Sequence, residues 1–135
     1  MREIKFRAWD SSRNKMFFSN EHKWVEFKIN SDGVLIAVNY ARGGGEHSLP
    51  VMQYTGVNDC NGVEIYEGDL VRITDTEEPR INFVGQVKFG VRGYPAFDLY
   101  DSCNTQLMDE YNTLTNDDLT FEVIGNVYEN PDLID

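Results

Sequence analysis

The amino-acid sequence predicts a mainly β fold, with an N-terminal β-meander, a C-terminal SH3-like small barrel and one short helix. Short segments alternate between polar and apolar residues, which is the pattern of a strand with one buried face. Turn-forming groups of Gly, Asp and Asn separate these segments. Aromatic residues make up 13% of the chain, and aromatic side chains are enriched in strands. These three observations favour short antiparallel strands joined by tight turns.

The N-terminal part contains two predicted hairpins. Residues 3–9 alternate between charged and apolar side chains and predict a half-buried strand, and residues 16–18 resume the apolar pattern after a polar turn. Residues 24–30 and 34–40 form a second pair of strand-like segments, separated by an Asp-Gly turn. Because Asp-Gly between two such segments is a strong hairpin signal, we expect a meander of about four strands.

A glycine-rich segment, residues 42–48, separates the two parts of the chain. Its three consecutive glycines have unusual backbone freedom. We place a joint here, so that residues 1–49 form the meander subdomain and residues 50–135 form the barrel subdomain. A length of 135 residues fits one domain, and we expect residues 1–135 to be a single domain built from these two subdomains.

Two turn signals open the second part of the chain. The segments 58–62 and 67–69 bracket a short apolar stretch, and a β-branched strand follows at residues 70–74. Gly68 is expected to adopt a positive φ, which glycine does without steric cost. Asp69 is expected to accept hydrogen bonds from backbone amides of its turn.

Three further strands and the helix complete the predicted barrel. Strand patterns cover residues 84–89, 96–100 and 121–128. Residues 107–114 carry apolar side chains at spacings of four and three, which predicts the short helix.

The acidic residues are unevenly distributed along the chain. The net charge is −11, and from Gly93 to the end there are ten acidic residues and no Lys or Arg. Such a field repels duplex DNA and anionic membranes, so neither is expected as a partner. Two interpretations of this acidic third stay open: a face that only keeps the protein soluble, or a surface that docks a basic partner. The candidate partner-binding residues are Asp109, Glu110, Asp117 and Asp118.

No catalytic, cofactor or metal site is expected. The acids Glu64, Glu67 and Asp69 lack the ordered spacing of a calcium loop, and the acids near residues 109–118 lie in polar surroundings that do not raise a carboxyl pKa. Two cysteines, Cys60 and Cys103, are too few for a disulfide scaffold and favour a reduced, cytoplasmic compartment. No apolar stretch approaches the roughly 20 residues that span a bilayer.

A nucleic-acid-associated module is the alternative. It would use a basic N-terminal region that contains Arg2, Lys5, Arg7, Arg13 and Lys15. Aromatic side chains would stack on the bases of a single strand. Those candidates are Trp9, Tyr54, Tyr66, Tyr94, Tyr100 and Tyr128.

Several blocks of the chain together resemble the YopX-like proteins of bacterial phages and prophages. The blocks are Phe-Arg-Ala-Trp-Asp at 6–10, Met-Gln-Tyr-Thr-Gly at 52–56, Asp59 with Asn-Gly at 61–62, Ile-Tyr-Glu-Gly-Asp at 65–69, and Val-Ile-Gly-Asn-Val-Tyr-Glu-Asn-Pro at 123–131. Residues 17–49 and 75–118 carry no recognisable family motif. The resemblance implies a phage or prophage origin and a mainly β fold. It implies no activity and supplies no catalytic residue.

These observations lead to one functional expectation. We expect a non-enzymatic protein-interaction module in the cytoplasm of a bacterial host, which binds a host or phage protein through the acidic third. High aromatic content and an open strand edge in the meander also predict a homo-oligomer.

Overall fold

A computed structural model describes the backbone of most of the chain. The described residues are 4–19, 25–39, 48–78, 80, 82–89, 97–101 and 119–133. The chain divides into two compact units, Met1–Tyr54 and Thr55–Asp135. Every strand pairing with a resolved register is antiparallel. The mainly β prediction is therefore confirmed.

The first unit contains two sets of paired strands. Its strands are β1 (Phe6–Asp10), β2 (Lys15–Phe18), β3 (Val25–Ile29), β4 (Leu35–Asn39), β5 (Ser48–Leu49) and the first residues of β6 (Val51–Asn58). Strand β1 pairs with β2 on one side and with the start of β6 on the other. Strands β3, β4 and β5 form a separate sheet in that order.

Both predicted hairpins of the first unit are present. In the turn between β1 and β2, the Asp10 carboxylate accepts hydrogen bonds from the backbone N–H and the hydroxyl of Ser12, at 3.0 and 2.6 Å. In the turn between β3 and β4, Gly33 has a φ of 81°. Its N–H donates to the Asn30 carbonyl, and the Asn30 N–H donates to the Val34 carbonyl. This is the three-residue hairpin loop that ends in a left-handed glycine.

Strand β1 is covered on both faces, so the prediction that it is half-buried is wrong. Ala8 belongs to a core cluster with Phe17, Val25 and Ala37. The residues on the opposite face, Arg7 and Trp9, are each only 6% exposed. A period of two in the sequence indicates that the two faces differ, but it does not show that the polar face meets solvent.

The second unit is built on a four-stranded antiparallel sheet. Within the described ranges, the unit as a whole contains six strands: the later part of β6, β7 (Glu64–Tyr66), β8 (Asp69–Asp75), β9 (Asn82–Phe89), β10 (Phe97–Asp101) and β11 (Leu119–Asn126). The sheet has the order β10-β9-β8-β11, and β7 lies beside β6. The 3-10 helix Pro131–Leu133 follows β11.

The core described for the second unit consists of four aliphatic side chains and one aromatic side chain. The buried side chains of Ile65, Val71, Ile73, Val87 and Phe121 form one cluster. Burying a side chain of this size contributes about 1.5–3 kcal/mol each. The β-branched residues of β8 thus explain why this strand lies at the centre of the unit.

Two finer predictions lie beyond what the structure describes. The predicted helix at residues 107–114 falls outside the described residues. Among the described residues, 131–133 form the single helical segment. The closure of the second unit into an SH3-like barrel stays a prediction. Within the described ranges, no helix is long and apolar enough to cross a membrane.

Candidate functional site

The four acidic residues predicted to dock a partner lie in segment 102–118, which connects β10 to β11. This segment, with Asp109, Glu110, Asp117 and Asp118, is outside the described residues. Their role stays a prediction. The described residues do show what the other notable carboxylates and amides of the second unit do.

Asp59 fastens the turn after β6 to strand β11. Its Oδ1 accepts hydrogen bonds from the N–H groups of Asn61 and Val63, both at 2.8 Å. Its Oδ2 accepts a hydrogen bond from the N–H of Val123, 64 residues away, at 2.9 Å. The Cys60 N–H adds a fourth bond to this junction by donating to the Phe121 carbonyl. Both carboxylate oxygens of Asp59 are therefore occupied by the backbone.

The surroundings of Asp59 favour its ionised form. Asp59 is 7% exposed, and this burial alone would raise the pKa of its carboxyl group. The backbone N–H groups of Val123, Val63 and Asn61 act in the opposite direction, and the net result is a pKa below the ordinary value of 3.8. A carboxylate held in this state accepts hydrogen bonds and is a poor proton donor near neutral pH. Its chemistry is structural.

The turn at residues 66–69 has the geometry that the sequence predicts. Gly68 is buried and has a φ of 89°, in the left-handed region that side chains other than glycine rarely adopt. Asp69 is 1% exposed, and its Oδ2 accepts a 2.7 Å hydrogen bond from the Tyr66 N–H. The Gly68 N–H donates to the Val87 carbonyl, and the Gly68 carbonyl accepts from the Val127 N–H. Both predictions for Gly68 and Asp69 are confirmed.

A second polar junction closes the end of β11. The Asn126 N–H donates to Oδ1 of Asn130, and the Asn130 N–H donates back to the Asn126 carbonyl. Oδ1 of Asn126 accepts from the N–H groups of Tyr128 and Glu129. A Cβ atom on Gly125 would lie 2.7 Å from Cγ of Asn130. Gly125 is therefore needed for a close approach, although its φ is not positive.

The carboxylates around residues 64–69 do not form a metal centre. Asp69 uses one oxygen to hold the Tyr66 amide, and Glu64 Oε1 accepts a long hydrogen bond of 3.5 Å from the Tyr66 hydroxyl. Within the described ranges, no three His, Cys, Asp or Glu side chains are grouped so that they could hold a metal ion. Cys60 is exposed, and Cys103 lies outside the described residues.

The basic and aromatic N-terminal candidates are divided between core and surface. Arg7 and Trp9 are buried, so neither can stack on a base or meet a phosphate in this conformation. Lys5 Nζ lies 5.7 Å from the centre of the Tyr54 ring. Lys15 Nζ lies 5.3 Å from the centre of the Phe17 ring.

The remaining described candidates of this alternative, Arg13, Tyr66 and Tyr128, differ in exposure, and Tyr128 is half-buried. Arg13 lies 4.0 Å from the Asp10 carboxylate. Tyr66 is only 3% exposed. Arg2 and the side chains of Tyr94 and Tyr100 lie outside the described part of the chain.

Comparison with known proteins gives the relationship of this chain. The family model described as YopX protein matches residues 5–135. The chain belongs to the YopX family. No curated protein matches it. The YopX structure from Bacillus subtilis has a TM-score of 0.64 and 21% sequence identity, with all of both chains covered.

A second YopX-like fold comes from another bacterium. Protein EF1440 from Enterococcus faecalis has a TM-score of 0.54 and 24% identity, again with all of both chains covered. At such identities the likeness extends to the fold. The resemblance predicted from the motifs is confirmed: this chain is a small YopX-family protein.

Proposed function

We propose that this YopX-family chain is a non-enzymatic protein-interaction module, encoded by a phage or prophage and acting in the cytoplasm of the bacterial host. Its acidic C-terminal third docks a basic surface of a host or phage protein. The observation that carries the proposal is the distribution of charge: ten acidic residues and no Lys or Arg from Gly93 onward. Such a field speeds the approach of a basic partner and repels phosphates.

The two buried carboxylates of the second unit support this proposal because they form hydrogen bonds within the fold. Asp59 and Asp69 are buried and bonded to backbone amides. Both carboxylates thus help to hold turns of the backbone. The chemistry of the second unit then comes from its surface, where charge acts by steering and complementarity more than by reaction.

The docking proposal is tested with two charge-reversal variants of equal net charge. The first changes Asp109, Glu110, Asp117 and Asp118 to Lys. The control changes the exposed acids Asp32, Glu77 and Glu78 and the exposed residues Ser11 and Ser31 to Lys; all five lie before the acidic third and outside the strands. Each acid-to-Lys change adds two charges and each Ser-to-Lys change adds one, so both variants have a net charge of −3 in place of −11.

Both variants and the wild type are immobilised and incubated with lysate of a phage-infected host over a series of salt concentrations. We expect to capture proteins that bind the wild type and the control but do not bind the first variant. These proteins should dissociate as the salt concentration rises, since salt screens interactions between exposed charges. With a purified partner, the first variant should mainly slow association. Equal capture by all three forms at every salt concentration would contradict the proposal.

A nucleic-acid-associated module is the second candidate. It is favoured by one observation, the placement of Lys5 beside the half-buried Tyr54 ring, with the exposed Lys15 in the same unit. The test is a fluorescence titration of a labelled single-stranded oligonucleotide. Binding by the wild type that is lost in a Lys5→Glu, Lys15→Glu variant would support this candidate, and binding at physiological salt would weigh against the acidic docking surface.

Self-association completes the proposal. Exposed hydrophobic side chains of the first unit include Ile4, Ile29 and Val34, at 62%, 66% and 54%. An open strand edge beside such side chains favours pairing with another chain.

A further inference from the structure

Strand β3 is the described strand best suited to meet a second copy of this chain. In the three-stranded sheet of the first unit the order is β3-β4-β5, so among the described strands β3 has a neighbour on one side. Its sequence is Val-Glu-Phe-Lys-Ile. Ile29, at its end, is 66% exposed, although an aliphatic side chain of this size is stabilised by burial.

The hydrogen-bond pattern of the β3–β4 hairpin shows which backbone groups point to the open edge. The Asn30 N–H donates to the Val34 carbonyl, so residues 30 and 34 form a hydrogen-bonded pair. Hydrogen-bonded and non-hydrogen-bonded pairs alternate along an antiparallel ladder. With the register Ile29↔Leu35 and Phe27↔Ala37, the N–H and C=O groups of Val25, Phe27 and Ile29 therefore point away from β4.

This edge is self-complementary. In an antiparallel pairing of two β3 strands about a two-fold axis at Phe27, residue 25 lies opposite residue 29 of the other copy, and residue 26 opposite residue 28. Val25 then faces Ile29, and Glu26 faces Lys28, twice each. Opposite charges and apolar pairs at directly facing positions stabilise a sheet.

The charges of β3 favour a second copy of this chain as the partner that binds this edge. Glu26 is exposed and Lys28 Nζ lies 3.9 Å from Glu26 Oε1 within one chain. In the two-fold arrangement each of these side chains gains a partner of opposite sign across the interface. By contrast β10, an edge strand of the other unit, has two acids and no basic residue, so the same self-pairing there would gather like charges.

We propose that two copies of this chain associate through their β3 strands, in an antiparallel two-fold pairing centred on Phe27. The interface extends the β3-β4-β5 sheet into a six-stranded sheet and forms hydrogen bonds from the edge-facing groups of Val25, Phe27 and Ile29. It covers Ile29 with Val25 of the other copy. This inference rests on the self-association in the proposed function and adds its surface and register.

The test is a charge-swap series measured by sedimentation equilibrium. The single variants Glu26→Lys and Lys28→Glu each place like charges opposite one another at two positions. We expect loss of the two opposite-charge pairs to weaken the dimer by about twofold to thirtyfold, and repulsion between the like charges adds to this effect. The double variant Glu26→Lys, Lys28→Glu restores opposite charges at both positions and should regain the affinity of the wild type.

The control is Asp32→Lys, which makes the same charge change as Glu26→Lys on the exposed hairpin loop outside the strand. It should leave the dimer unchanged, and circular dichroism should show the same strand content for all variants. A monomeric wild type at all concentrations would overturn both the β3 pairing and the self-association. A dimer that is unaffected by the single variants, or that the double variant fails to restore, would overturn the β3 pairing and leave self-association through another surface. Neither result bears on the acidic docking surface, which the lysate experiment tests by itself.

Discussion

Replacing Asp59 by Asn separates its role in a local turn from its role in joining two distant parts of the chain. The carboxylate has two oxygens, and both accept backbone hydrogen bonds: Oδ1 from Asn61 and Val63, Oδ2 from Val123. An Asn side chain has one oxygen and one NH₂ group. If the oxygen takes the place of Oδ1, the NH₂ group faces the Val123 N–H, and two donors meet in a buried site.

The magnitude follows from these three bonds. A hydrogen bond to a charged group contributes about 1.5–3 kcal/mol, and a buried donor left without an acceptor costs about 1–3 kcal/mol. The two turn bonds survive in the neutral, weaker form. We therefore expect D59N to lower the free energy of unfolding by about 2–4 kcal/mol.

The matched control is Asp75→Asn. Asp75 also accepts backbone bonds in a turn, from Glu77 and Glu78, but both go to its Oδ1. One amide oxygen can replace that atom, so we expect a change below about 0.5 kcal/mol. Urea denaturation at pH 7, with the midpoint and slope fitted for each variant, gives both numbers. Equal losses in D59N and D75N would refute the argument that the second oxygen of Asp59 matters.

The dependence on pH supplies an independent check of the same reasoning. Burial raises the pKa of Asp59, the three backbone N–H groups lower it, and the net pKa lies below the ordinary 3.8. A lowered folded-state pKa gives stability that is fully present above the unfolded-state pKa and is lost as pH falls through the folded-state value. The difference in unfolding free energy between wild type and D59N should thus be constant above about pH 5 and shrink below about pH 4. A difference that grows as the solution becomes more acidic would contradict the sign.

Three further outcomes are expected from glycine and asparagine changes. Gly68→Val should strongly lower the free energy of unfolding measured by urea denaturation, since Gly68 is buried with a φ of 89°. Gly33 has a φ of 81° and open space around it, so Gly33→Ala should lower the free energy of unfolding by only about 1–2 kcal/mol. Gly125→Ala should displace the Asn130 side chain and weaken its bond to the Asn126 N–H. In a double-mutant cycle, Gly125→Ala with Asn130→Ala should cost less than the sum of the single changes, and strict additivity would show that the two residues do not interact.

Far-UV circular dichroism tests the fold of the whole chain, including the residues that the structure does not describe. We expect strand character with little helix. A helix content above about a third, the ordinary globular average, would contradict the mainly β assignment.

Local features of the fold can be predicted from sequence because their causes are local. The β3–β4 hairpin follows from alternation and one Asp-Gly turn, and the conformation at Gly68 follows from the Glu-Gly-Asp sequence. In each case the residues that determine the structure lie within a few positions of one another. The turn formed by Asp59 could also be inferred, since Asp followed by Asn-Gly is a turn signal.

Features that depend on distant parts of the chain could not be predicted. The bond from Val123 to Asp59 joins residues 64 positions apart, and no pattern near either residue indicates the other. The shift in register between Val123 and Gly125 likewise depends on how β11 meets β8. The burial of Arg7 on the polar face of β1 is a tertiary effect of the same kind.

The residues that carry the family resemblance and the surfaces proposed for interaction occupy different parts of the chain. Asp59, Gly68, Asp69, Asn126 and Asn130 all belong to family motifs, and each holds a turn or satisfies buried backbone groups. Strand β3 lies within residues 17–49, and the four acidic docking candidates lie within residues 75–118, outside the sequence blocks that carry the resemblance. Residues that build turns constrain the architecture without constraining the partner. Chains of low sequence identity can share this fold, as the structures at 21% and 24% identity do, and still present different edges and charges to what they bind.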